Sequence, residues 1–251
     1  MFVEGCAIGT IDDIRYARRR ALYEAPVSFG GLSFSMSKIA VMIDGGHLRA
    51  CAKNAKKVFN PLLVEKVALN CCMKPQEDIH RILYYDCAPY TGTATLPVSG
   101  TKKTFTGSDK WLHDLAKKDL FAVRRGILKF RGYVLVKIPY TPTGPLTDAD
   151  FRPSFEQKGV DMRIGLDMAI FSANRAVVLI ALITNDTDCI PAMKHARRSG
   201  LQVALLVVPG YHVCPELLAH VDFTRKLHGR RNTLTTATIR FPPAESEFQV
   251  P

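Results

Sequence analysis

Two aliphatic runs that stop at carboxylates constrain this chain more than any other feature. Residues 38–44 read KIAVMID and residues 177–188 read VVLIALITNDTD. A strand that is apolar on both faces belongs inside a parallel sheet covered by helices on either side. The runs end too early for membrane spans, which need ~20 apolar residues. After the second run, residues 189–199 read as a helix stopping at Gly200. Asp188 is then a good N-cap, because its carboxylate can accept the free N–H groups of the first turn. Asp186, two residues earlier, is left without a structural task.

The same alternation runs along the chain. Strands are expected at 38–43, 79–85, 133–138, 177–183 and 201–208, and helices at 47–59, 61–72, 108–124, 160–171, 189–199 and 215–227. Strands alternating with helices give an α/β fold, a three-layer arrangement with a mainly parallel central sheet flanked by helices. The 251 residues suffice for one sizeable domain with tails or for two small domains, and a single domain is expected over residues 36–228. Residues 1–35 carry Arg18-Arg19-Arg20 and no continuous apolar segment, so they read as a poorly ordered extension, not a signal peptide. Met36 is expected to open the folded domain and is a candidate start of translation. Residues 229–251 are rich in Thr, Pro and polar residues and read as a disordered tail.

Charge narrows the partners. Lys and Arg number 34 against 23 Asp and Glu, a net +11, which favours polyanions, nucleic acid before acidic membrane surfaces. The seven cysteines are odd in number and show neither a C-x-x-C nor zinc-like spacing with histidines. They read as reduced thiols in a cytoplasmic protein, and no membrane partner is expected.

In open α/β sheets, sites form outside the carboxyl ends of the strands. Asp44 ends the first strand, followed by Gly45-Gly46, which allow a sharp turn and room for a ligand. Asp186 and Asp188 end another. In FEQKGVDMRIGLDMAIF, Asp161 falls in the first turn of a helix and Asp167 six residues later, rotated by about 240° and so on a different face. Singly, each has a bland account: Asp44 a turn residue, Asp188 a cap, Asp161 a helix-dipole partner, Asp167 an ion-pair partner of Arg163. Jointly, Asp44, Asp161, Asp186 and Asp188 at one rim repel one another and raise their pKa values, a conflict that a hard cation such as Mg²⁺ or Mn²⁺ resolves. A basic surface around such a centre suits phosphodiester hydrolysis.

The order of MIDGGHLR, YYDCAPY, KGVDMRIGLDMA and TNDTDCIPAMKHARRSGLQVALLV resembles that of NYN domains, PIN-like metal-dependent ribonucleases that include the bacterial LabA/DUF88-like group. The resemblance spans residues 38–227 approximately. It implies a PIN-like fold and a Mg²⁺ or Mn²⁺ site that cuts RNA, with Asp44, Asp161, Asp186 and Asp188 as catalytic and metal-ligating residues. Asp167 matches a further family aspartate and, with Thr184 and Asn185, would sit in an outer shell. Thr184-Asn185 replaces the family's Ser-Gly, and Cys189 its Phe.

His47, Arg49, Lys158, Arg163, Lys102 and Lys103 are candidate RNA contacts, the last two on a long segment, residues 87–107, expected to act as a flap. Tyr84, Tyr85 and Trp111 are assigned to the core, and Asp86 to the outer shell at most. A haloacid-dehalogenase-type phosphatase would need a second Asp where Gly46 stands; a Toprim-type site wants Glu in place of Asp44; no G-x-G-x-x-G follows a strand. The remaining alternative is a non-catalytic RNA-binding or regulatory module on the same fold, and a homo-oligomer is compatible with either.

Overall fold

A computed structural model describes residues 36–139 and 144–227. The expectations for residues 1–35 and for the tail from 229 onward lie outside them. Strands β1 (Ser37–Asp44), β2 (Glu77–Cys87), β5 (Phe121–Leu135), β6 (Phe151–Lys158), β7 (Leu179–Ile183), β8 (Gln202–Val207) and β9 (Phe223–Lys226) form one sheet in the order β6-β5-β2-β1-β7-β8-β9. All neighbours pair parallel except β5 and β6. The α/β architecture with helices on both faces is as the alternating pattern requires.

β1 shows why. Its side chains alternate between two cores, and Ile39 to Ile43 have no solvent exposure. Ile39, Val41 and Ile43 pack with Leu48 of helix α1 (Gly45–Asn54), Val64 of α2 (Pro61–Leu69) and Leu112 of α3 (Lys110–Ala116). Ala40 and Met42 face the other way, toward Ile164 and Met168 of α4 (Val160–Asn174) and Met193 of α5 (Ile190–Arg198). Period-two alternation thus feeds both layers, with β1 at the centre.

Chain order reverses at β1: β2 and β5 lie to one side, β7, β8 and β9 to the other. A crevice opens where such a reversal occurs, at the carboxyl ends of the two diverging strands. Here those strands are β1 and β7, paired so that Ile43 lies beside Ile183, and Asp44 beside the chain leaving β7.

Several elements differ from expectation. The helix over 108–124 ends at Ala116, and its last part belongs to β5, which also takes in residues 133–135 of the strand expected at 133–138, the rest of which is not strand. FAVRRGILKFRGYVL alternates apolar and basic residues, a strand period that a helix reading overran. β6 was hidden by Pro153, tolerated because β6 is an edge strand. The last helix is only α6 (Pro215–Leu218), followed by β9. Residues 87–107 hold an antiparallel hairpin, β3 (Gly92–Thr95) with β4 (Lys102–Phe105). Tyr90 and Phe105 pack this hairpin on Phe130 and Phe155 of the β5–β6 ribbon, with ring centroids 5.6–5.9 Å apart.

A candidate metal centre at the sheet's switch point

Three chain segments meet at the crevice. β1 delivers Asp44, the segment after β7 delivers Thr184 to Asp188, and the first turn of α4 delivers Asp161. Thr184, 2% exposed, ties the first two together. Its hydroxyl donates to Asp44 Oδ2 at 3.2 Å and accepts the Asp186 backbone N–H at 3.1 Å. Asp44 Oδ1 accepts the N–H of His47 at 3.1 Å, capping α1. Gly45 lets α1 start this close: a Cβ there would lie 2.3 Å from Tyr84 Oη and 2.7 Å from Asp86 Oδ2.

The cap expected of Asp188 belongs to Asp186. Residues Thr187–Cys189 form a 3₁₀ turn before α5, and Asp186 Oδ1 accepts the Asp188 N–H at 2.9 Å. Asp188 makes no such bond and stays exposed. The expected helix start at residue 189 lies within one residue of Ile190, but the 3₁₀ turn ahead of it moves the cap from Asp188 to Asp186.

One carboxylate oxygen from each of Asp161, Asp186 and Asp188 lies within 4.8 Å of the others, a spacing that could hold a metal ion. Asp44 stands beside this trio with both oxygens engaged. Burial, then repulsion from Asp186, Asp44 and Asp188, holds the Asp161 carboxyl above the usual carboxylate range. Asp44 is also raised, by burial, against the opposing pull of the His47 N–H. The donors are all carboxylate oxygens, the set that hard Mg²⁺ or Mn²⁺ prefers.

Beside the trio lies an open cleft of about 430 Å³, lined by Asp44, Gly46, His47, Gln157, Asn185, Asp186, Thr187 and Tyr211. Asn185 Oδ1 accepts the N–H of Cys214 at 2.8 Å, fastening the loop that carries Tyr211. The His47 ring meets Tyr211 edge-on at 4.9 Å, and burial lowers its pKa despite the attraction of Asp44. Gln157 and Tyr211 were not singled out in the sequence. Tyr211 follows the carboxyl end of β8, where the strand-end rule points; Gln157 sits on a strand that was itself missed.

Asp167 lies away from the trio. It is buried, accepts the Tyr85 hydroxyl at 3.0 Å and pairs with Arg124 through Nε at 2.9 Å and Nη2 at 3.2 Å. Its partner is therefore Arg124, not Arg163, whose Nη1 donates to Gly159 O at 2.7 Å. Asp86, 1% exposed, accepts the Tyr84 hydroxyl and Cys87 N–H at 2.8 Å each and forms an ion pair with Arg49. Lys158 pairs with Glu156. Lys102 and Lys103 are exposed on β4, with the Lys103 ammonium 5.6 Å from the Phe105 ring centroid. His47 is the basic candidate that lines the cleft.

No family model matches the chain, and no curated protein matches it. A solved structure of a protein of unknown function from Vibrio parahaemolyticus aligns with 77% of this chain and 94% of its own, at 15% identity and a TM-score of 0.44. Among the described residues, no helix is long and apolar enough to cross a membrane.

Proposed function

We propose that this chain is a metal-dependent ribonuclease that hydrolyses RNA phosphodiester bonds beside Asp161, Asp186 and Asp188, with Asp44 supporting them. The observation that carries the reading is the meeting of three carboxylates within 4.8 Å at the sheet's switch point, beside an open cleft. A chain of net charge +11 has little reason to gather acids there unless a cation joins them. The resemblance to NYN domains supports the same reading.

A bound Mg²⁺ or Mn²⁺ would supply Lewis acidity and a water acidic enough to attack at neutral pH. The chain's residues set the stage. Asp161, Asp186 and Asp188 would hold the ion, whose charge would favour the ionised form of Asp161 against the burial and repulsion that raise its pKa. Thr184 fixes Asp44 relative to Asp186, so the two strand ends cannot drift apart. His47, whose pKa burial lowers, lines the cleft where a phosphate would lie.

The test is Asp186→Asn. Asn keeps the cap on Asp188 N–H but lowers the charge of the trio. Mn²⁺ binding and RNA cleavage should fall together while RNA binding persists. Cleavage by the variant at the wild-type rate would overturn the proposal.

A further inference from the structure

A second concavity lies on the other side of α1. Arg49, Phe59, Asn60, Pro61 and Trp111 line about 230 Å³, below the roughly 300–1,000 Å³ of pockets for drug-sized ligands and so suited to a single ring system. Phe59 and Trp111 meet edge to face with centroids 5.7 Å apart. The Arg49 guanidinium lies 5.3 Å from the Phe59 ring and 5.9 Å from the Trp111 ring. It is held in place by the buried Asp86, whose oxygens are also taken by Tyr84, Cys87 and Gln157.

We propose that this pocket is a nucleobase-binding subsite for single-stranded RNA; the inference rests on the RNA reading above and extends it. The walls are two aromatic rings with the Arg49 guanidinium plane over them, and their side-chain donors are the guanidinium N–H groups beyond the one held by Asp86, and the Asn60 Nδ2. Asn60 Oδ1 is occupied, accepting the Leu63 N–H at 2.9 Å as the cap of α2. A planar ring with acceptors on its edge, a nucleobase, complements that set by stacking and by hydrogen bonding. Among the described residues, no carboxylate lines the pocket. Lys53 in the last turn of α1, and Lys56 and Lys57 on the chain that leads from it to Phe59, are all exposed and give the adjoining surface the charge a phosphodiester backbone seeks. The pocket is also wired to the cleft. His47 and Arg49 stand two residues apart on α1, and Gln157 lines the cleft while its Nε2 reaches Asp86 Oδ1 at 3.4 Å. A strand with one base in the pocket would continue toward the acidic trio.

Trp111 is the sole tryptophan of the chain, so its fluorescence reports this pocket directly. Full-length protein in EDTA is titrated with adenosine 5′-monophosphate, ribose 5-phosphate and a hexa-adenylate RNA. The expected result is a saturable emission change with the first and third and none with ribose 5-phosphate. Phe59→Ala should weaken RNA binding by roughly tenfold, the scale of one lost base–aromatic stack. Asn60→Ser, which keeps the helix cap and removes the amide donors, should weaken it less, and it guards against misfolding of the first variant. No response to the nucleotide and RNA, an equal response to ribose 5-phosphate, or wild-type affinity in both variants would overturn the inference. Mn²⁺-dependent cleavage assayed on the same wild-type preparation separates the two ideas. Cleavage without a fluorescence response removes the subsite alone, and the reverse removes the nuclease alone.

Discussion

Asp186 Oδ1 accepts the backbone N–H of Asp188 at 2.9 Å, so one member of the acidic pair builds the turn that presents the other. Substitutions should separate the two tasks. Asp186→Ala loses both cap and ligand and should cost about 1 kcal/mol of stability. Asp188→Ala should leave the metal-free stability within about 0.5 kcal/mol of wild type, as exposed sites do. Both should lose Mn²⁺ binding. Denaturant unfolding with and without Mn²⁺ checks all four values.

Asp161 predicts a stability that falls with rising pH in EDTA. Its folded carboxyl titrates above the usual carboxylate range, through burial and then the repulsion of Asp186, Asp44 and Asp188. Between the unfolded and folded pKa values the native state holds more protons than the unfolded one, so stability declines as pH rises through that window. Asp161→Asn should therefore melt at a higher temperature than wild type at pH 7 in EDTA, and the difference should shrink near pH 4. Mn²⁺ should raise the melting temperature of wild type and not of the variant. Thermal melts at the two pH values test the sign.

Gly45 admits no side chain, because a Cβ would meet Tyr84 Oη at 2.3 Å and Asp86 Oδ2 at 2.7 Å. Gly45→Ala should cost about 1–3 kcal/mol by overpacking and should displace the start of α1. Since α1 holds Asp44 through His47 N–H and holds Arg49 on Asp86, both the cleft and the aromatic pocket should suffer. Denaturant unfolding gives the energy, and Trp111 emission reports the displacement.

Asp167 anchors α4 on Tyr85 and Arg124 and is not part of the acidic trio. Asp167→Ala strands the buried Tyr85 hydroxyl, a loss of about 1–3 kcal/mol. Arg124 adds little to that cost, since 42% of its side chain is exposed and can rehydrate. Mn²⁺ affinity, measured by calorimetry on folded variant, should stay within about twofold of wild type; a larger loss would make Asp167 part of the metal site.

The central sheet and the rim were readable because their signals are local. β1 and β7 are unbroken aliphatic runs, and the carboxylates that close them fall where a parallel sheet leaves its crevice. β5 and β6 were not readable. They extend beyond the helical layers, so their pattern mixes exposed Lys129 and Arg131 with half-buried Phe130, and Pro153 interrupts the second strand. The transfer of the cap from Asp188 to Asp186 follows from a single 3₁₀ turn, which no periodicity announces. The partners Arg124 of Asp167 and Arg49 of Asp86 depend on strand register, which the residues alone do not give. In each case the missing information is which distant segment lies alongside.

The most direct test is the cleavage of end-labelled single-stranded RNA by wild type and Asp161→Asn, each with Mn²⁺, Mg²⁺ or EDTA. Cleavage by wild type that requires the metal and is abolished in a folded Asp161→Asn is the expected result. RNA left intact by well-folded wild type in both metals, or cut equally by the variant, would contradict a metal-dependent nuclease built on these three aspartates.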